Sequence, residues 1–230
     1  MSPLSTETCR SAGPRTSVLA LLATVAAILV ASVVSGCSTG DRAGEQLQGM
    51  TRNPPNAIGD LRLPQVNPES ENREGSLVGP QGGLMLVYFG FTYCPDVCPT
   101  TLADLRVALE DLDEDERSRI RFSMVTVDPE RDTATVLNDY LGHFFETGVF
   151  SSMRTTDPER LRAAERRFGA SHRIGRPDSE GNYDVDHTAQ LYAVDEDGIV
   201  AVEWPFGTEP SVMASDLREL LRRSESESGA

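Results

Sequence analysis

Leu84-Met85-Leu86-Val87-Tyr88-Phe89 is an unbroken apolar run with no alternation. A strand of that kind has both faces covered, so it demands layers above and below the sheet. The segments downstream of it supply those layers. Leu102, Leu105, Leu109 and Leu112 form one helical stripe after Pro99, a residue suited to a first helical turn. Phe122 to Val127 reads as a second strand, ending at Asp128-Pro129. Asp132 or Thr133 is placed to cap a helix carrying Val136, Leu137, Tyr140, Leu141 and Phe144. Asp157-Pro158 opens another helix through Phe168, and Asp195-Glu196-Asp197-Gly198 joins two strands as a hairpin. Met213, Leu217, Leu220 and Leu221 mark a last amphipathic helix. The alternation predicts an α/β fold, a mixed sheet with helices on both faces.

The ends read differently. From Val18 to Val34 no residue is charged, a span of about 26 Å as a helix. That is short for a membrane crossing but suits a signal-peptide core. It ends Val34-Ser35-Gly36-Cys37-Ser38, which resembles a bacterial lipobox. On that reading 1–36 is a signal peptide and Cys37 carries lipid; the alternative is an uncleaved signal anchor. Either reading exports the domain and tethers it to the outer face of the cytoplasmic membrane. Residues 37–57 read as a flexible spacer, 58–223 as one folded domain, and 224–230 as a solvated tail. Cys9 falls in the leader.

Charge narrows the function. All 21 basic residues are arginine, and 36 acids bring the net charge to −15. A chain this acidic lacks the basic face that nucleic acid requires. Without lysine it has no Schiff-base nitrogen and no Walker-type phosphate loop.

The chemistry concentrates in Cys94-Pro95-Asp96-Val97-Cys98-Pro99, between a buried strand and a helix start. Helix N–H groups and the dipole there favour thiolate, both nucleophile and metal ligand. Three residues separate the cysteines, so a disulfide or a shared soft ion is within reach. A structural bridge closing so small a loop would add little. A metal would need a third ligand, and the chain has only His143, His172 and His187. His143 falls in a helix, and His172 lies in a polar stretch and reads as exposed surface. His187, in Asp186-His187-Thr188, is the candidate ligand, though only the fold could bring it to the cysteines. Two thiolates and an imidazole suit Cu(I) and also hold Cu(II); zinc normally takes a fourth ligand. Asp96 reads as a helix cap, Asp186 as facing away from any site, and Asp128 to Thr133 as a turn supporting the second strand. Asp111 to Glu116 reads as the solvated end of a helix. A peroxidase needs one reactive cysteine and leaves the pair unexplained.

Phe89-Gly90-Phe91-Thr92-Tyr93-Cys94-Pro95-Asp96-Val97-Cys98-Pro99-Thr100-Thr101-Leu102 resembles the signature of the Sco (SenC) family of copper-delivery proteins. Val127-Asp128-Pro129-Glu130-Arg131-Asp132-Thr133 resembles its second motif and Asp186-His187-Thr188 its third, in the family's order. The resemblance covers roughly Ile58 to Arg223. It implies a thioredoxin-like fold and a copper ion held by Cys94, Cys98 and His187. It also implies delivery to the copper-bearing subunit of cytochrome c oxidase, at its dinuclear copper centre. The competing expectation is a thiol–disulfide reductase that keeps the oxidase cysteines reduced, with Cys94 and Cys98 alternating between dithiol and disulfide. A monomer is expected.

Overall fold

The computed structural model describes residues 46–66 and 73–228. The expected signal peptide, residues 1–36, and Cys37 lie outside the described residues. Nine strands are described. They are β1 (Arg62–Val66), β2 (Arg73–Ser76), β3 (Leu84–Gly90), β4 (Ile120–Thr126), β5 (Phe150–Met153), β6 (His172–Ile174), β7 (Val185–His187), β8 (Gln190–Val194) and β9 (Val200–Pro205). The helices are α1 (Val97–Asp111), α2 (Glu114–Ser118), α3 (Ala134–Gly142), α4 (Pro158–Phe168) and α5 (Pro210–Ser228).

Seven strands make one sheet in the order β2-β1-β5-β4-β3-β8-β9, and β6 and β7 form a separate two-stranded ribbon. β3 pairs in parallel with β4 and antiparallel with β8, which gives the predicted mixed sheet. Every residue of β3 is buried, as its unalternating sequence requires. Successive side chains point to opposite faces, and the neighbours of Tyr88 and Phe89 show both faces covered. Phe89 meets Phe168 of α4 edge-on at 5.3 Å. On the opposite face lies Cys98 of α1, close to the Tyr88 ring. α1 packs against α5.

Local chemistry explains most boundaries. Asp157 caps α4 by accepting from the N–H groups of Glu159 and Arg160, with Pro158 in the first turn. Gly169 ends it in the left-handed conformation, at φ 71°. Thr133, not Asp132, caps α3. That helix stops at Gly142, so Phe144 lies beyond it and His143 is its exposed C-cap. The acidic stretch is not simply a fraying end. Asp113 and Glu116 form a capping box that starts α2.

Both expected flexible ends are partly structured. From residue 46 the spacer region packs on the domain: Met50 and Ala57 bridge to Glu203 and Ile199 of the β9 side. Arg52 forms an ion pair with buried Glu203. The tail continues α5 to Ser228, and Glu225 pairs with Arg119. Composition alone missed both. The contacts that order these polar stretches are made by residues more than a hundred positions away. Among the described residues no helix is long and apolar enough to cross a membrane.

Candidate metal centre

The cysteine loop is built by the end of β3. Val127 N–H donates to the Gly90 carbonyl at 2.9 Å, closing β3 against β4 where the chain turns away. Gly90 is required there. A Cβ would stand 2.7 Å from Tyr88 Cε1 and 3.2 Å from Cys98 Sγ. α1 starts at Val97, two residues before Pro99, so Cys98 lies in the first turn. Asp96 occupies the cap position, yet its side chain makes no capping bond. Cys94 takes that role instead: its sulfur accepts the Cys98 N–H at 3.3 Å. The expected carboxylate cap is replaced by a sulfur cap.

This placement separates the two thiols. Cys94 is half-buried and Cys98 fully buried. The Cys94 pKa is lowered to about 3, chiefly by the hydrogen bond from Cys98, with His187 and the backbone N–H groups of Cys98 and Asp96 adding to it. The Cys98 pKa is raised by that same bond and by burial. The pair therefore holds one thiolate and one thiol.

His187 arrives from the β6–β7 ribbon. In that ribbon His172 pairs with His187 and Arg173 with Asp186. Asp186 points out to Arg173, as strand alternation predicts. His187 points in, its ring edge-on to Tyr88 at 5.9 Å and to Phe91 at 5.6 Å. Its Nδ1 lies 3.2 Å from the Thr188 carbonyl. A carbonyl only accepts, so Nδ1 carries a proton and Nε2 is the ring nitrogen turned toward the sulfurs. Nε2 stands 3.5 Å from Cys98 Sγ. The donor atoms of Cys94, Cys98 and His187 all lie within 4.8 Å of one another, and no fourth candidate ligand joins them among the described residues. Two soft sulfurs and one imidazole, open on the Cys94 side, fit a thiophilic ion of low coordination number.

The other histidines stay away. His143 bonds its own helix at the Asp139 carbonyl. His172 is not the exposed residue its polar setting suggested. Its side chain is only 12% exposed, with Nδ1 2.6 Å from buried Glu165.

The Asp128–Thr133 turn does more than end a strand. Buried Asp132 accepts from Thr92 N–H, from Thr92 Oγ1 at 2.5 Å and from Thr126 Oγ1 at 2.6 Å, pinning the cysteine loop to β4. Burial raises its pKa. Arg131 pairs with buried Asp128 and stacks on Tyr183 at 3.9 Å, with Tyr93 at 5.0 Å and Phe91 at 5.8 Å. Tyr183 Oη donates to Asp128 at 2.8 Å. This clasp joins the cysteine loop, the turn and the segment leading into β7. Arg131 and Tyr183 carry no sequence signal for it, being 52 positions apart.

Fold and site together define a thioredoxin-like protein whose paired cysteines and one histidine form a cluster that could hold a metal ion. The SCO1/SenC family model matches residues 70–222, so the chain belongs to the Sco family. An SCO2-like protein of Rickettsia conorii is 32% identical over 161 residues, covering 70% of this chain and 75% of its own. A second, from Rickettsia felis, is 34% identical over 141 residues, covering 61% of this chain and 65% of its own. Among solved structures, apo Sco1 of Thermus thermophilus has a TM-score of 0.60 at 29% identity, covering 80% of this chain and 99% of that one. ScoI of Bradyrhizobium japonicum, solved with copper bound, gives 0.58 at 25% identity, covering 71% of this chain and 99% of that one.

Proposed function

We propose that this chain is an extracytoplasmic copper chaperone. It binds one copper ion through Cys94, Cys98 and His187 and passes it to the dinuclear copper centre of cytochrome c oxidase. The observation that carries the reading is the convergence of two sulfurs and an imidazole nitrogen within 4.8 Å of one another. Membership of the Sco family and the copper in the Bradyrhizobium relative support the choice of ion. The tether belongs to the same reading: lipid on Cys37 holds the domain at the outer face of the cytoplasmic membrane.

The geometry suits ligand exchange. Cys94 is the accessible sulfur and a thiolate before metal arrives, so it meets the incoming ion. Cys98 then gives up its proton to become the second thiolate, and His187 adds Nε2. Release runs the other way: a partner's soft ligand displaces Cys94 at the open side. Copper titration of the purified reduced protein is expected to saturate at one equivalent. Cys94→Ser, Cys98→Ser and His187→Ala should each abolish or severely weaken binding. Unchanged affinity in the Cys94 and His187 variants would refute the site.

One observation favours a second role, as a thiol–disulfide reductase: an accessible thiolate with a buried thiol in hydrogen-bonding contact. Cys94 would attack a partner disulfide and expel one partner thiolate. Cys98, losing its proton to solvent, would attack the mixed disulfide and expel the other. This route leaves Cys94–Cys98 oxidised and does not use His187. Disulfide reduction retained in His187→Ala, together with retained cellular function, would establish it over delivery.

A further inference from the structure

Tyr88 is fully buried, and its hydroxyl has no hydrogen-bond partner. An orphaned buried hydroxyl destabilises a fold relative to a satisfied one, and phenylalanine would fill the same space without it. The group's surroundings suggest what it waits for. Its ring meets His187 edge-on at 5.9 Å. Tyr88 Cε1 and Cys98 Sγ both crowd the point where a Gly90 Cβ would stand, at 2.7 and 3.2 Å. The phenol and the buried sulfur therefore share one pocket. A phenol carries its proton at neutral pH, so the group is a donor.

Cys98 is a free, buried cysteine, and a thiol sulfur is a weak acceptor. Metal binding changes that. Cys98 must lose its proton to ligate, and a thiolate is a strong acceptor in a pocket that excludes water. We propose that Tyr88 is the hydrogen-bond donor to metal-bound Cys98, a positioning residue that biases the centre toward Cu(I). A hydrogen bond withdraws electron density from the sulfur. The more highly charged Cu(II) depends more on that density, so it loses more. This deepens the chaperone reading and rests on copper binding at this site.

The test is Tyr88→Phe in the full chain, with Tyr140→Phe as the comparison. Tyr140 carries the other orphaned phenol, but its ring packs on Phe144. Metal-free Tyr88→Phe should melt at or above the wild-type temperature, since an unsatisfied hydroxyl is removed. Loaded with Cu(II), it should show its sulfur-to-copper absorption band at longer wavelength. Its preference for Cu(I) over Cu(II) should fall about tenfold, or ~59 mV for a one-electron couple. Tyr140→Phe should leave band and potential where they were. A wild-type protein without a sulfur-to-copper band would refute the copper reading itself. A wild-type band with the same position and potential in Tyr88→Phe would overturn only the Tyr88 assignment. So would an equal shift in Tyr140→Phe, which would make the effect a general one of polarity.

Discussion

The working asymmetry of the site lies between two atoms of one element type. Cys94 and Cys98 share a loop, yet one sulfur receives a helix N–H and the other is enclosed by Tyr88, Gly90 and the helix. Their proton affinities move apart as a result. Cys94 should therefore react with iodoacetamide at a nearly constant rate from neutral pH down to about 4, where an ordinary thiol is silent. Cys98 should stay unlabelled throughout. Mass mapping of the labelled site at each pH checks both halves, and loss of Cys94 labelling below pH 7 would contradict the assignment. Stability follows the same split. The Cys94 pKa is depressed below its unfolded value, so its contribution is present above that value and is lost as pH falls toward about 3. The Cys98 pKa is raised, so its contribution is present below the unfolded value and lost as pH rises beyond it. The two cysteines were legible from their spacing at a strand–helix junction. Tyr88 was not. Inside Leu84–Phe89 it looks like one more core residue, and only coordinates place its ring beside the sulfur of Cys98.

Among elements, the β6–β7 ribbon decides whether three ligands are present or two. It is short, pairs with no strand of the main sheet, and carries exposed Ile174. Beside the contact of the His187 ring with Phe91, its attachment to the cysteine loop runs through Arg131, which meets Tyr183, Asp128, Tyr93 and Phe91. Arg131→Ala removes a charge-assisted bond to a buried carboxylate and the ring contacts together, a loss of about 2–3 kcal/mol. The expected outcome is a protein still folded, with all three ligands, from which copper dissociates at least roughly tenfold faster to a competing chelator. Arg131→Lys should recover little, because an ammonium lacks the planar fork that bonds and stacks at once. Copper release at the wild-type rate in both variants would show that the ribbon holds its place without the clasp. The long elements were readable because periodicity reports burial directly. β3, β4, α1, α4 and the β8–β9 hairpin all follow from apolar spacing. β1, with Pro64 inside it, and the polar β2 and β6 gave no such signal. Their pairing is dictated by neighbours that come from elsewhere in the chain.

At the scale of the molecule, the segment expected to be a spacer closes one edge of the sheet. β9 is an edge strand, and an uncovered edge invites pairing with other chains. Residues 46–58 cover it. Met50 and Glu203 exchange backbone bonds of 2.8 and 2.9 Å, Val200 donates to Asn56, and Ile58 donates to Gly198. Side chains reinforce the seam. Buried Asp216 of α5 accepts from the N–H groups of Gln48 and Gly49 and from Trp204 Nε1 at 2.8 Å, tying segment, strand and helix to one carboxylate. The folded domain therefore includes residues 46–57 and does not begin at residue 58. A chain beginning at Ile58 should lose about 3 kcal/mol relative to one beginning at Gln46, with these bonds. Its melting point should drop by roughly 6–12 °C, at a few degrees per kcal/mol for a domain this size. It should also aggregate at lower concentration through the bared β9 edge, which size-exclusion chromatography would detect. Copper stoichiometry should stay at one, because Cys94, Cys98 and His187 are held by β3, α1 and β7 and not by this seam. Equal melting points for the two chains would mean that the seam contributes nothing to the fold and that the domain begins where composition alone would place it.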